Sequence, residues 1–398
     1  MSLSLILGDV HLGGSMSIGR VGIGSVLNSR LADQQHLLDW TLDYSIDKNI
    51  STIILTGDIF DDPKPNTVII TIFISWLKKC QANNISVHII LGNHDMIRSG
   101  SAFTSSLDII SEIDLDNVYI YKNINTIFVD TTAFTFMPFR DRKSFGTSSN
   151  SDALSILRDS LIYELESIPK TYTKIIVGHM AITGSIPVGN EIDDLANELF
   201  CPIDMFSGYD YVWMGHVHKP QIMKKNNPYI AHIGSMDVSN FGETDHKKHI
   251  VVIDNLSDKS FTTEYLPTRK LLKLAISIPQ NIKNTTQYVI NEIKKQKLDL
   301  SNAIIKVEIT LLSPELQSIS KIDIENYLID NGAYNIAGIL ESKKLSSIKK
   351  NYNNIDTKMD VQSTIKIYSE KYVDKTMQEK FITLATNIYE SFKYENKE

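Results

Sequence analysis

Cysteine is nearly absent from this chain. Cys80 and Cys201 are the only two in 398 residues, too few for a disulfide framework and not in a metal-spacing pair, so both are expected to be reduced and structural. No apolar run approaches the roughly 20 residues that span a bilayer. The start, Met1-Ser2-Leu3-Ser4, has no basic region before its short apolar run, so neither signal peptide nor anchor is expected and the cytoplasm is the expected location. No Gly-x-x-x-x-Gly-Lys-Ser/Thr segment occurs, so any ATP dependence would have to come from a partner. An excess of positive charge is missing too: 40 Lys and Arg stand against 47 Asp and Glu, a net charge of -7. Residues 13–24 are glycine-rich, but the spacing is wrong for a dinucleotide fingerprint and the segment reads as a flexible loop on the substrate side.

What is present is an ordinary globular composition, with length for two or three domains and a substantial core. Five short polar segments stand out: Asp9-Val10-His11, Gly57-Asp58, Gly92-Asn93-His94-Asp95, Gly178-His179 and Gly215-His216-Val217-His218. Each follows a short apolar run, at Leu3–Leu7, Thr52–Leu55, Val87–Leu91, Ile175–Val177 and Tyr211–Met214, and so reads as a loop leaving a buried strand. Side chains from several strand ends can meet at the carboxyl edge of an α/β sheet, where ligands bind. Two divalent cations placed there repel each other, so a carboxylate must bridge them while imidazole, amide and further carboxylate groups hold each one. Asp58 is the natural bridge. One ion would be held by Asp9, His11 and His218, the other by Asn93, His179 and His216. His94 is left over and suits a general acid for a departing oxygen, with Asp95 next in the chain expected to orient it.

Singly these segments are weak signals, since Asn, Asp and Gly are ordinary turn residues. Their joint occurrence, in this order and each after a strand-like run, is specific. The set resembles the calcineurin-like metallophosphoesterases, and within them the SbcD-type DNA repair nucleases, a branch that includes bacteriophage recombination nuclease subunits. The features of that branch are the Asp9 to Gly13 opening, the Gly57 to Asp61 block followed by Pro63 and Pro65, and the paired histidines of Gly215 to His218. The resemblance covers roughly the first 260 residues. It implies an α/β fold, a four-layer β-sandwich flanked by helices, with Asp9, His11, Asp58 and His218 on one manganese and Asp58, Asn93, His179 and His216 on the other, magnesium being the alternative metal. His94 would be a catalytic residue that is not a ligand. Departures narrow the substrate. Asp61 is followed by Asp62-Pro63 rather than the Arg-Gly of protein phosphatases, and it stands where purple acid phosphatases place a tyrosine ligand.

The implied activity is metal-dependent DNA cleavage, 3′ to 5′ on duplex ends and endonucleolytic on single strands. The negative net charge is less awkward for such an enzyme once two dications offset about four charges at the site. Basic groups for DNA are expected at Arg98, Arg140, Arg142 and Lys143, with Lys247 and Lys248 as further basic loop residues. Weak DNA binding by this chain alone implies a partner.

The expected organisation is a nuclease domain over 1–267, a small α/β capping domain that selects DNA over 268–342, a linker over 343–360 rich in Lys, Asn and Ser, and an amphipathic helical segment over 361–398. In the resemblance that last segment grips the coiled-coil base of an SbcC-type, SMC-like ATPase, in a heterotetramer containing a homodimer of nuclease subunits. If the chain is phage-encoded, the compartment is the host cytoplasm. Alternatives are a phosphodiesterase of small or cyclic nucleotides and a non-catalytic scaffold.

Overall fold

The computed structural model describes residues 2–21, 27–99, 102–113, 115–187, 198–256, 260–280, 282–312, 319–343, 365–366, 368–370 and 373–395. Its centre is a pair of six-stranded sheets. The first runs, edge to edge, Phe261–Tyr265, His249–Asp254, Leu3–Leu7, Ile50–Leu55, Ser86–Ile90 and Val118–Tyr121. The second runs Gln221–Lys224, Tyr229–His232, Tyr211–Met214, Thr173–Gly178, Thr132–Met137 and Asn125–Val129. Leu3–Leu7, Ile50–Leu55 and Ser86–Ile90 pair in parallel, as do Tyr211–Met214, Thr173–Gly178 and Thr132–Met137, whereas His249–Asp254 runs antiparallel to Leu3–Leu7.

Successive side chains on a strand point to opposite faces, so a strand covered on both sides must be apolar at every position. Ile6, Ile54, Ile90, Phe134, Phe136, Ile175 and Val177 enter the core between the sheets. Their neighbours Leu5, Leu7, Ile53, Leu55, Ile89 and Ile176 enter the core that faces the helices. This explains why the strands read as continuous apolar runs.

Helices Ser29–Asp47, Thr67–Ala82 and Asn150–Ser167 supply the outer layers, through Leu38 and Leu42, Phe73 and Leu77, and Leu157 and Leu161. Their starts are chemically fixed. Asn28 accepts from Arg30 N, Asn66 from Val68 N and Ile69 N, and Ser149 from Asp152 N, satisfying amides that have no partner inside the helix. The result is helix, sheet, sheet, helix. Cys80 and Cys201 are buried and unbridged, and burial pushes both thiols up to about 12, which leaves them unreactive.

Beyond Leu266 the chain builds a parallel three-stranded sheet, Leu271–Ile278, Ile304–Leu311 and Asn335–Lys343, with helices Thr285–Lys295 and Lys321–Asp330. It encloses its own core around Leu274, Ile276, Val307, Ile309 and Leu328. The sequence pattern does not mark the third strand, which takes in Lys343, where the linker was expected to begin. Arg269 ties this part to the helix Ser29–Asp47 by a two-pronged pair with Asp33, at 2.8 and 2.6 Å. Arg269 and Arg20 both lie over the Tyr334 ring, at 4.0 and 4.6 Å from its centre.

Residues 344–398 form a separate compact unit. Of the expected linker, residues 344–360 lie outside the described residues. Within this unit Gln378–Glu395 is helical, Tyr368 stacks on Phe381 with ring centres 5.8 Å apart, and Ser369 Oγ donates to the Gln378 carbonyl. No helix among the described residues is long and apolar enough to cross a membrane.

Candidate metal centre

All seven expected ligands meet at one edge of the paired sheets. The strands Leu3–Leu7, Ile50–Leu55, Ser86–Ile90, Thr173–Gly178 and Tyr211–Met214 each end at or just before one of the five polar segments. The turns are tight. His11, Asp58 and His216 adopt positive φ, of 45°, 46° and 77°, a conformation costly for residues other than glycine and concentrated at functional sites. The glycines of the motifs have a steric cause. Gly57 has φ 117°, and a Cβ there would sit 2.7 Å from His179 Nδ1; a Cβ on Gly215 would sit 2.2 Å from Asp9 Oδ1.

Asp58 Oδ2 lies between two imidazoles, 3.2 Å from His179 Nε2 and 3.5 Å from His11 Nε2. On one side, His11 Nε2 and His218 Nε2 are 2.9 Å apart. On the other, Asn93 Oδ1 is 2.9 Å from His179 Nε2 and 3.0 Å from His216 Nδ1. Asp9 is fully buried; its Oδ1 accepts from Thr56 Oγ1 at 2.9 Å and lies 3.5 Å from His179 Nδ1, while Oδ2 accepts from His216 N at 2.7 Å. Ligand atoms of Asp9, His11 and His218, of Asp58, His179 and His216, and of His11, Asp58 and His94 lie within 4.8 Å of one another in each set.

Two features of this arrangement fit divalent cations. Metal bonds of about 2.1 Å at right angles set ligand atoms about 3 Å apart, which is the spacing found. Buried carboxylates also need compensating charge, and the ion-pair partners of Asp9 and Asp58 are histidines. Burial opposes ionisation of Asp58, but His179 outweighs it and holds that carboxyl well below the usual range. Burial likewise opposes a charge on His179, and Asp58 and Asp9 overcome it, driving its pKa well up. The field that draws a proton there also draws a cation.

His94 sits beside the cluster, its ring centre 4.9 Å from that of His11. Its Nδ1 lies 2.7 Å from the Asp61 carbonyl, and its backbone N donates to Asp58 Oδ1 at 2.8 Å. Asp95 does not orient it. The Asp95 carboxylate is buried and accepts from the backbone N–H groups of Ile59, Phe60 and Gly92 at 2.9, 3.3 and 3.0 Å; it staples two metal-edge loops together.

The basic candidates separate. Arg140 is committed to structure, donating to the carbonyls of Phe139 and Lys122 and to Asn123 Oδ1. Arg142 is half-buried and Lys143 exposed, both on the single turn Arg142–Phe145. Arg98 lies on the short strand Met96–Ser99, with its side chain outside the described residues. Lys248 is a correction: it is buried, and its Nζ donates to Glu243 Oε2 at 2.6 Å, Ser235 Oγ at 2.7 Å and the His218 carbonyl at 2.9 Å. Removing one partner of a buried pair strands the other charge, so Lys248→Ala is expected to lower stability by about 3–5 kcal/mol, read by urea denaturation.

Sequence reasoning missed two carboxylates at the centre. Glu198 Oε2 is hydrogen-bonded to His216 Nε2, and Glu243 Oε1 lies 3.6 Å from His218 Nδ1. Neither belongs to a motif. His232 is no member of the ligand sets; its Nδ1 lies 3.0 Å from the carbonyl of Gly215.

Two ligand clusters joined through one carboxylate, on the strand ends of a layered sandwich, define a binuclear metal-dependent phosphodiesterase. The chain belongs to the calcineurin-like phosphoesterase family, whose model matches residues 4–220. It is similar to the SbcD component of the nuclease SbcCD of Staphylococcus saprophyticus, with 24% identity over 265 residues that cover 64% of this chain and 68% of the relative. The DNA double-strand break repair protein Mre11 of Methanocaldococcus jannaschii is 25% identical over 334 residues, 76% of this chain and 84% of its own. The SbcD component of the nuclease SbcCD of Escherichia coli K12 is 22% identical over 257 residues, 60% and 63% respectively.

Proposed function

We propose that this phosphodiesterase is a manganese-dependent DNA nuclease, degrading duplex ends 3′ to 5′ and cutting single strands, and that it is the nuclease subunit of an SbcC/SbcD-like recombination and repair complex. The observation that carries this reading is the convergence of seven ligand groups and His94 on one strand edge, in a chain similar to SbcD and Mre11 nucleases.

In this reading Asp9, His11 and His218 hold one ion and Asn93, His179 and His216 the other, with Asp58 shared. When bound, two such ions polarise the phosphate and lower the pKa of water. The chain's residues do the rest. Asp95 fixes the loops of Asp58 and Asn93 against each other, so the two ligand sets keep their separation. His94 donates from Nδ1 to the Asp61 carbonyl, which leaves Nε2 to deliver a proton to the departing oxygen.

Arg142 and Lys143, with Arg98, would meet the DNA backbone. Replacing Arg142 and Lys143 together by alanine is expected to weaken DNA binding and flatten its log–log salt dependence by about 1–2, one unit per lost phosphate contact, with turnover of a small phosphodiester unchanged. Residues 268–342 would choose which DNA ends enter, and 361–398 would grip the SMC-like ATPase, within a heterotetramer built on a nuclease homodimer in the cytoplasm. The substrate is tested by offering the protein linear duplex DNA and a cyclic nucleotide side by side with manganese. The reading expects the larger kcat/KM for DNA; far faster turnover of the cyclic nucleotide would replace the nuclease by a small-molecule phosphodiesterase.

A further inference from the structure

The two histidines of Gly215 to His218 have carboxylates behind them, and the two carboxylates differ in how their charge is shared. Glu243, behind His218, is fully buried and paired with Lys248 at 2.6 Å, and its Oε1 stands 3.6 Å from His218 Nδ1. Glu198, behind His216, is directly hydrogen-bonded to Nε2, its side chain only 17% exposed. Among the described residues no lysine or arginine pairs with it. Of the other two rings, His179 Nδ1 lies 3.0 Å from the Thr56 carbonyl and 3.5 Å from Asp9 Oδ1, and His11 Nδ1 lies 3.2 Å from Oδ1 of the half-exposed Asp61.

An imidazole can bind a cation through one nitrogen only if that nitrogen is free of its proton, and the partner of the other nitrogen decides this. A carboxylate on His216 Nε2 keeps the proton there. Nδ1, 3.0 Å from Asn93 Oδ1 and turned toward the ligand cluster, is then left with its lone pair. A full negative charge behind the ring also makes it a stronger donor than a carbonyl would. We infer that Glu198 is a positioning residue that fixes the tautomer of His216 and so sets the affinity of the ion held by Asn93, His179 and His216. This rests on the two-metal reading above.

The test is manganese titration of the metal-free full-length protein by calorimetry, with the thermal midpoint of each metal-free variant measured beside it. Glu198→Gln keeps an acceptor but not the charge, whereas Glu198→Leu keeps neither. The expected result is a loss of affinity for one of two ions of about 10–100-fold, larger in Glu198→Leu, with the second ion within about twofold of wild type and the metal-free midpoints unchanged. A merely structural Glu198 would lower the midpoint and weaken both ions together, which overturns the inference. Wild-type affinity for both ions in both variants overturns it as well, while leaving the two-metal centre standing. Uptake of fewer than two ions by the wild type overturns the centre itself, and the inference with it.

Discussion

Asp58→Ala is expected to abolish both metal binding and DNA cleavage. Asp58 Oδ2 lies close to histidines of both ligand sets, 3.2 Å from His179 and 3.5 Å from His11, so in the two-metal reading its removal would take a ligand from each ion and the charge that offsets their repulsion. Residues that merely support a ligand are worth about 10–100-fold in metal affinity, and a shared ligand should exceed the upper figure for both ions. The loop itself should survive. The Asp58 carbonyl accepts from Val10 N and His11 N at 3.1 and 2.8 Å, contacts that alanine keeps. Asp58→Asn, which preserves shape and removes charge, should also fail. Metal content by mass spectrometry checks both variants, and two retained ions in either would remove Asp58 from the bridging role.

His94→Ala is expected to separate chemistry from metal binding. Residue 94 touches Asp58 through its backbone N, which alanine retains, so the bridging carboxylate should stay in place. The imidazole is then missing only from proton transfer to the departing oxygen, an effect of about 10²–10⁴-fold on rate. Burial opposes a charge on His94, whereas Asp58 and the Asp61 carbonyl favour one and raise its pKa. The rival role is visible in the geometry, since a ligand atom of His94 lies within 4.8 Å of those of His11 and Asp58. The two roles part on metal count: an acid leaves two ions bound to a slow enzyme, whereas a ligand leaves fewer. An enzyme as fast as wild type would remove His94 from the chemistry altogether.

The centre was legible in the sequence because its chemistry is written at strand ends. A strand buried on both faces is an unbroken apolar run, so the residues that follow it are marked, and five such marks gathered the ligands. What was misread depends on contacts made across the fold. Asp95 adjoins His94 in the chain, yet its oxygens serve amides of Ile59 and Phe60 on another loop. Lys248 looks like a surface lysine beside Lys247, until the His218 carbonyl and Glu243 close over it. Arg140 reads as a DNA contact by its neighbours in the chain, and the Lys122 carbonyl and Asn123 have a prior claim on it. Glu198 and Glu243 gave no signal, because a lone glutamate between motifs reads as a solvated side chain. The strand Asn335–Lys343 escaped for a different reason: it is an edge strand, exposed from Leu340 to Ser342, and carries too little apolar pattern to be told from a loop.

The gathered ligands are proposed to form a working two-metal nuclease. The most direct test is to incubate the purified chain with manganese and end-labelled linear duplex DNA, beside the Asp58→Ala variant, and follow loss of the label and shortening of the strands. Degradation by the wild type, absent without manganese and absent in Asp58→Ala, is the predicted result. Intact DNA after incubation with wild-type protein carrying two bound manganese ions, or equal degradation by Asp58→Ala, would contradict it.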